Sequence, residues 1–222
     1  EEAKTDRTKA VLYVCLYGNI SDLDIVSEYC CQNDLILIND CAPALFGMYK
    51  NRPIVSYGDF STLSFFADKT ITTGEGGMLL TDRMDLISEC NIYKHDGRRE
   101  RGVDVIERKG FNYRLTELQA AVGVAQLGKS RRFIQRKKEN QQFFQSLLKE
   151  VNQVKVFNFN TEGDIVPHRN IIFVPEASKL IAYLVENGVG ARTLFMPMHS
   201  QPCYNYAKDF PITEKLFKTG VC

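Results

Sequence analysis

Asp40, Ser64 and Lys69 are an acid, a hydroxyl and an amine within one third of the chain. An amine can act as nucleophile or base, a carboxylate can hold a neighbouring positive charge, and a hydroxyl can donate to an anion. Lys69 stands in residues 61–82, STLSFFADKTITTGEGGMLLTD, between an apolar run that includes Ser64 and a glycine-rich turn, Gly74-Glu75-Gly76-Gly77. That turn feeds a strand at 78–80. By itself, a lysine before such a turn reads as a solvated loop residue. The glycines do not signal a nucleotide loop: GEGG lacks both the Walker ending in Gly-Lys-Ser/Thr and the G-x-G-x-x-G spacing. What favours a chemical role for Lys69 is its company elsewhere in the chain.

The elements that must position these groups are those of an α/β sheet. Residues 10–17 (AVLYVCLY) form a continuous apolar run closed by Gly18, the pattern of a strand buried on both faces of a parallel sheet. Ser21 is placed to cap a helix running to about Gln32. Residues 35–38 (LILI) are a second strand, ending in Asn39 and Asp40. This βαβ unit puts Asp40 at the carboxyl end of a parallel strand, where open α/β sheets bind ligands. An aspartate there can equally cap the next turn.

Residues 41–52 read as a short helix or loop, with 49–52 an exposed hairpin turn. Short strands at 54–57 and 62–66 flank Gly58-Asp59, and with 78–80 they imply a mixed sheet. A helix is expected over 85–93. The arginine-rich segment 94–109 (KHDGRRERGVDVIERK) is either a mobile surface loop or a binder of anionic groups. Thr116 is a plausible N-cap for a helix at 117–127, whose Ala120, Ala121 and Gly123 allow close packing and suit a subunit interface. A further helix covers about 131–151. From 154 on, strands at 154–157, 171–174 and 193–196 with a helix at 176–187 make an α+β module. It is a second, smaller domain starting near residue 130, with 158–164 as a surface loop inside it.

Composition narrows the function classes. With 222 residues, 44% hydrophobic and 25% charged, the chain can bury a sizeable core. The 28 basic and 27 acidic side chains nearly cancel, so charge gives no support for attraction to nucleic acid or membranes. The densest basic stretch, 131–138, reads as a solvated helix face. Seven cysteines without a C-x-x-C pair, most of them in apolar runs, suggest reduced, buried thiols in a cytoplasmic protein and no metal site. No signal peptide and no apolar run of membrane-spanning length is visible. The chain begins without methionine and reads as a fragment trimmed at both ends.

Asp40, Ser64 and Lys69 together meet the needs of pyridoxal phosphate: an amine for its aldehyde, an anion beside its ring nitrogen and donors around its phosphate. The chain resembles the sugar aminotransferases of the DegT/DnrJ/EryC1/StrS family, among the fold type I enzymes, and within them the perosamine synthase-like members. The resemblance rests on TKAVLYVCLYG, LILINDCAPALFG, YGDFSTLSFFADKTITTGEGGMLLTD, GFNYRLTELQAAVGVAQL and, more loosely, ARTLFMPMHSQPCY, in the family's order over nearly the whole chain. It implies an α/β, three-layer, mixed-sheet large domain at 1–130 and a small C-terminal α+β domain at 131–222, each incomplete.

The resemblance also implies roles. Lys69 would form the internal Schiff base and then shuttle the proton, Asp40 would pair with the ring nitrogen, and Ser64 would bind the cofactor phosphate. Asn112 would reach the phosphate of the neighbouring subunit's cofactor, which makes a homodimer with shared active sites. Arg192 and His199 would lie on the substrate side, although His199 is equally read as a satisfied structural histidine. The implied reaction transfers an amino group from glutamate to a nucleotide-linked keto-deoxysugar. Two departures stand out. Pro43 occupies a position where the family usually has Gln, His or Glu, and the family's N-terminal part, with its ring-stacking aromatic residue, is missing. They keep open a regulatory or inactive cofactor-binding homologue. A dehydratase of the same fold would carry histidine in place of Lys69.

Overall fold

Residues 10–14 are rich in branched and aromatic side chains that suit an extended backbone. In the computed structural model, which describes residues 2–100, 102–160, 162–204 and 208–222, they form strand β1 (Ala10–Val14). A tight turn at Leu16–Gly18 leads to helix α1 (Leu23–Gln32) and strand β2 (Ile36–Asp40). The two strands pair in parallel from Ala10↔Ile36 to Val14↔Asp40, completing the expected βαβ unit. Ser21 is not the helix cap. Asp22 takes that position in a left-handed conformation, and Ser21 is held by Tyr13, whose hydroxyl donates to Ser21 O (2.7 Å) and accepts from Ser21 N (2.8 Å).

Strand β3 (Met48–Tyr49) and strand β4 (Arg52–Pro53) form a hairpin. Its two central residues, Lys50 and Asn51, both have positive φ (45° and 63°), as a twist-matched two-residue turn requires. Lys50 and Asn51 are exposed, but Tyr49 is buried. Residues 54–56 are a 3-10 turn where a strand was expected. The turn sinks Ile54 into a core of Cys15, Ile20, Leu23, Cys41, Ala44, Tyr49 and Tyr57. Strand β5 (Phe60–Ser64) then pairs in parallel with β2, and strand β6 (Gly77–Leu80) pairs antiparallel with β5. The sheet order β1-β2-β5-β6 is mixed, as expected.

One expectation fails. β1 is buried on one face only: Leu12 and Val14 are 63% and 41% exposed, while α1 and its neighbours cover the face of Val11, Tyr13 and Leu37. A continuous apolar run shows that both faces are fit for burial; it does not supply the layer that buries them.

Helices α2 (Met84–Lys94), α3 (Glu117–Leu127) and α4 (Ser130–Leu148) follow. Strand β7 (Lys155–Val156) comes next, and strand β8 (Gly163–Asp164) returns to β3, with Met48 opposite Asp164. Part of the segment read as a loop of the second domain is thus a strand of the β3 sheet. A two-residue edge strand leaves no periodic signal to detect. The chain divides into two compact units, residues 1–137 with 160–168, and residues 138–159 with 169–222.

The second unit contains a three-stranded antiparallel sheet in which strand β9 (Ile172–Phe173) lies between β7 and strand β10 (Gly220–Val221). Helix α5 (Ala177–Glu186) and helix α6 (Pro211–Thr219) complete it. Ile172, Ala177 and Val221 form its core with Phe144, Leu148 and Val154. The strand expected at 193–196 is reduced to one bridge, Thr193↔Val221. All seven cysteines are free, and Cys15, Cys30 and Cys41 are fully buried, whereas Cys31 and Cys203 are exposed. Among the described residues no helix is long and apolar enough to cross a membrane.

Candidate active site

The end of β2 divides two neighbouring side chains between opposite faces. Asn39 turns into the core, fully buried, where its Nδ2 donates to Ile54 O (2.8 Å) and its Oδ1 accepts from Cys15 Sγ (3.5 Å). Asp40 therefore points to the other face. Two donors converge on its Oδ1: Ala42 N at 3.0 Å and Thr62 Oγ1 at 3.1 Å. The first bond is the turn-capping role; it leaves Oδ2 as an acceptor, so one carboxylate serves both readings. The backbone beneath is braced as well, with Cys15 N donating to Asp40 O and Cys41 N to Thr62 O, each at 3.0 Å.

Thr62 stands directly opposite Asp40, and Ser64 lies two residues further along β5 on the same face, roughly 7 Å away at the usual strand rise. Ser64 Oγ accepts from Phe66 N at 3.3 Å. Beyond it the chain makes a closed excursion. Phe65 is buried, its N donates to Gly76 O (2.8 Å), and its O accepts from Thr73 N (2.9 Å) and Thr72 Oγ1 (3.0 Å). Lys69, whose N donates to Phe66 O at 3.1 Å, is carried on this excursion at the carboxyl edge of β5. Gly76 closes it with φ 149°, and a Cβ there would sit 2.6 Å from Thr73 Oγ1. GEGG is thus a tight return turn into β6.

Asn112 lies on a different feature, the approach to α3, where it bridges to His95. Arg114 Nε donates to Asn112 Oδ1 at 2.8 Å, which leaves the amide Nδ2 as the donor. A cavity of about 440 Å³ is lined here by His95, Arg98, Asn112, Arg114 and Thr116. Thr116 is the N-cap of α3, within a full capping box: its Oγ1 accepts from Gln119 N (3.2 Å) and its N donates to Gln119 Oε1 (3.0 Å). Gln119 Nε2 also donates to Glu75 O at 2.9 Å, tying α3 to the turn behind Lys69.

Described residues of the arginine-rich segment form ion pairs with one another and with α2. Arg99 grips Glu107 through two bonds of 2.9 Å, holding that carboxyl below its usual range, and Arg98 meets Asp104 at 3.1 Å. Arg108 pairs with Glu89. Arg192 and His199 belong to the second unit. Arg192 lies over the Phe195 ring at 5.6 Å. His199 Nε2 is 3.2 Å from Glu214 Oε1 and its ring stands 4.7 Å from that of Phe210. The Phe210 amide, and after it His199, lower the Glu214 carboxyl.

The structure brings Asp40 and Ser64 to one face and Lys69 to the same edge, while Asn112 shares no hydrogen bond with them among the described residues. Thr62 was missed in the sequence, because a threonine in a strand signals only β propensity. Its partnership with Asp40 depends on strand register. This donor set fits pyridoxal phosphate: Asp40 Oδ2 for a protonated ring nitrogen, the Ser64 hydroxyl for the phosphate, the Lys69 amine for the aldehyde.

The family model for the DegT/DnrJ/EryC1/StrS aminotransferase family matches residues 1–222. GDP-perosamine synthase of Escherichia coli O157:H7 is 36% identical over 231 residues, covering 100% of this chain and 61% of that protein. Among solved structures, the aminotransferase TlmJ from Streptoalloteichus hindustanus superposes with a TM-score of 0.93 at 22% identity, covering 100% of this chain and 61% of that one. Spr1654 from Streptococcus pneumoniae, in its PLP-form, superposes with a TM-score of 0.90 at 23% identity, covering 99% of this chain and 64% of that one. The chain thus spans under two thirds of the length of each. The match over its whole length, with a third of its residues shared with a curated member, places the chain in the DegT/DnrJ/EryC1/StrS aminotransferase family.

Proposed function

We propose that this chain acts as a cytoplasmic, pyridoxal-phosphate-dependent sugar aminotransferase that moves an amino group from glutamate to a nucleotide-linked keto-deoxysugar. The observation that carries the proposal is the face shared by β2 and β5: a carboxylate with one oxygen satisfied from within the protein, a hydroxyl further along the same face, and a lysine on the loop that leaves it. Family membership and the kinship to GDP-perosamine synthase support the sugar substrate.

When bound, pyridoxal phosphate supplies an electron sink for the charge left on a substrate carbon that loses its proton. The protein's residues serve that sink. Asp40 Oδ2 would face the ring nitrogen and favour its protonated form, since a carboxylate stabilises an adjacent cation. Ser64 Oγ donates to the phosphate. Lys69 Nζ would hold the cofactor through its aldehyde carbon, and as a freed amine it would serve as general base toward the substrate carbon and as general acid toward the cofactor's former aldehyde carbon. Asn112 Nδ2 donates to the phosphate bound by a second subunit, so the active unit is a homodimer with shared sites. Arg192 and His199 contact substrate from the small domain.

The test is spectroscopic. Protein mixed with pyridoxal phosphate should show a visible band that borohydride bleaches, and peptide mass spectrometry should find the reduced adduct on Lys69. No band in the wild type, or the same band in Lys69→Ala, overturns the proposal. Glutamate should then convert the bound cofactor to its amine form. Pro43, with neither side-chain donor nor N–H, favours a second reading, a regulatory homologue that binds the cofactor without transamination. A band that no amino donor discharges would establish it.

A further inference from the structure

We propose that Thr62 is a positioning residue for Asp40, locking the carboxylate so that Oδ2 alone faces the cofactor's ring nitrogen; this rests on the pyridoxal phosphate reading above. Asp40 and Thr62 are direct partners in the parallel pairing of β2 and β5, so both side chains rise from one face. Thr62 Oγ1 lies 3.1 Å from Asp40 Oδ1, the oxygen that also accepts from Ala42 N at 3.0 Å. Thr62 is held in turn: its carbonyl accepts from Cys41 N at 3.0 Å, in the residue after Asp40. A β-branched side chain on a fixed strand has a stiff χ1, so its hydroxyl arrives already oriented.

The terminal torsion of an aspartate is by contrast broad and nearly two-fold. One donor, the Ala42 amide, restrains Oδ1 in a single direction. The second, from the adjacent strand, opposes rotation and uses up the remaining lone pair of Oδ1. Thr62 therefore keeps Asp40 aimed. Valine at this position would keep the shape and lose the donor; serine would keep the donor with a freer torsion.

The experiment uses the full chain as wild type, Thr62→Val, Thr62→Ser and Asp40→Ala, and the double variant of Thr62→Val with Asp40→Ala. Two quantities are read: the dissociation constant for pyridoxal phosphate by spectral titration, and the ring-nitrogen protonation of bound cofactor by the 15N chemical shift of labelled pyridoxal phosphate across pH. Thr62→Val should weaken binding about 3- to 10-fold, the range for one ordinary net hydrogen bond lost at one remove from the cofactor. It should also lower the pH at which the ring nitrogen loses its proton, and Thr62→Ser should restore both most of the way. In the Asp40→Ala background, Thr62→Val should change neither. Unchanged affinity and titration in Thr62→Val overturn the inference and leave the proposed function standing, as does an equal effect with and without Asp40, which marks a purely structural role. If Thr62→Val does not fold, Thr62→Ala replaces it in the same cycle. A wild-type protein that forms no borohydride-sensitive band overturns both proposals at once.

Discussion

Arg114 Nε donates to Asn112 Oδ1 at 2.8 Å, and this contact decides which end of the Asn112 amide can meet a ligand. With Oδ1 engaged, Nδ2 is the group presented to an anion. Replacing Asn112 with aspartate keeps the Arg114 partnership and sets a negative charge where the cofactor phosphate of a second subunit would lie. Asn112→Asp should leave the melting temperature nearly unchanged and weaken pyridoxal phosphate binding at least about tenfold, since like charges at close range near a protein surface cost more than 1 kcal/mol. If Asn112 acts in trans, mixing Asn112→Asp with Lys69→Ala should recover cofactor binding that neither variant shows alone, because one site of each mixed dimer carries neither defect. Additive behaviour of the mixture would rule out the shared site.

The Tyr49 hydroxyl joins three segments of the first unit. Tyr49 Oη donates to Asp24 Oδ1 (2.5 Å) and lies 3.2 Å from Glu162 Oε2, while Lys50 Nζ meets Asp24 Oδ2 at 2.5 Å. Burial, and after it Asp24, push the phenol up from 10.0 to about 12; Lys50, and after it Tyr49, pull Asp24 down from 3.8 to about 2. The folded state thus prefers a neutral Tyr49, a preference fully present below pH 10.0 and lost as pH rises through about 12. It also prefers an ionised Asp24, a preference present above pH 3.8 and lost as pH falls through about 2. Tyr49→Phe should cost about 1 kcal/mol at neutral pH, as for an ordinary net hydrogen bond. Denaturant titrations across pH should also show the wild type losing stability between 10 and 12 more steeply than the variant.

Gly74 and Gly76 look alike in the GEGG turn and should respond differently to alanine. Both have positive φ, 80° and 149°. A Cβ on Gly74 meets nothing within 4 Å, whereas on Gly76 it would lie 2.6 Å from Thr73 Oγ1 and 2.9 Å from Leu115. Gly74→Ala should cost about 1 kcal/mol from backbone strain alone. Gly76→Ala should cost at least about 2 kcal/mol, the strain being joined by displaced neighbours. Because Gly76 O accepts from Phe65 N beneath the excursion bearing Lys69, Gly76→Ala should weaken cofactor binding as well, and Gly74→Ala should not. Chemical denaturation and cofactor titration of the two variants decide it.

Much of this arrangement is determined locally and could be read from the amino-acid sequence. The apolar runs around residues 10–17 and 35–38, with a helix between them, strongly favour a right-handed parallel βαβ unit, and that alone places Asp40 at the carboxyl end of its strand. The cap at Thr116 and the glycine turn after Lys69 are likewise short-range chemistry. Tertiary structure alone decided that Asp40 faces Thr62, that residues 54–56 coil to bury Ile54, that Gly163–Asp164 extends the β3 hairpin, and that Leu12 and Val14 stay exposed. The physical reason is the same in each case. A period of two tells which side chains share a face of a strand, but the partner across that face is fixed by register and by long-range packing, neither of which a local pattern encodes.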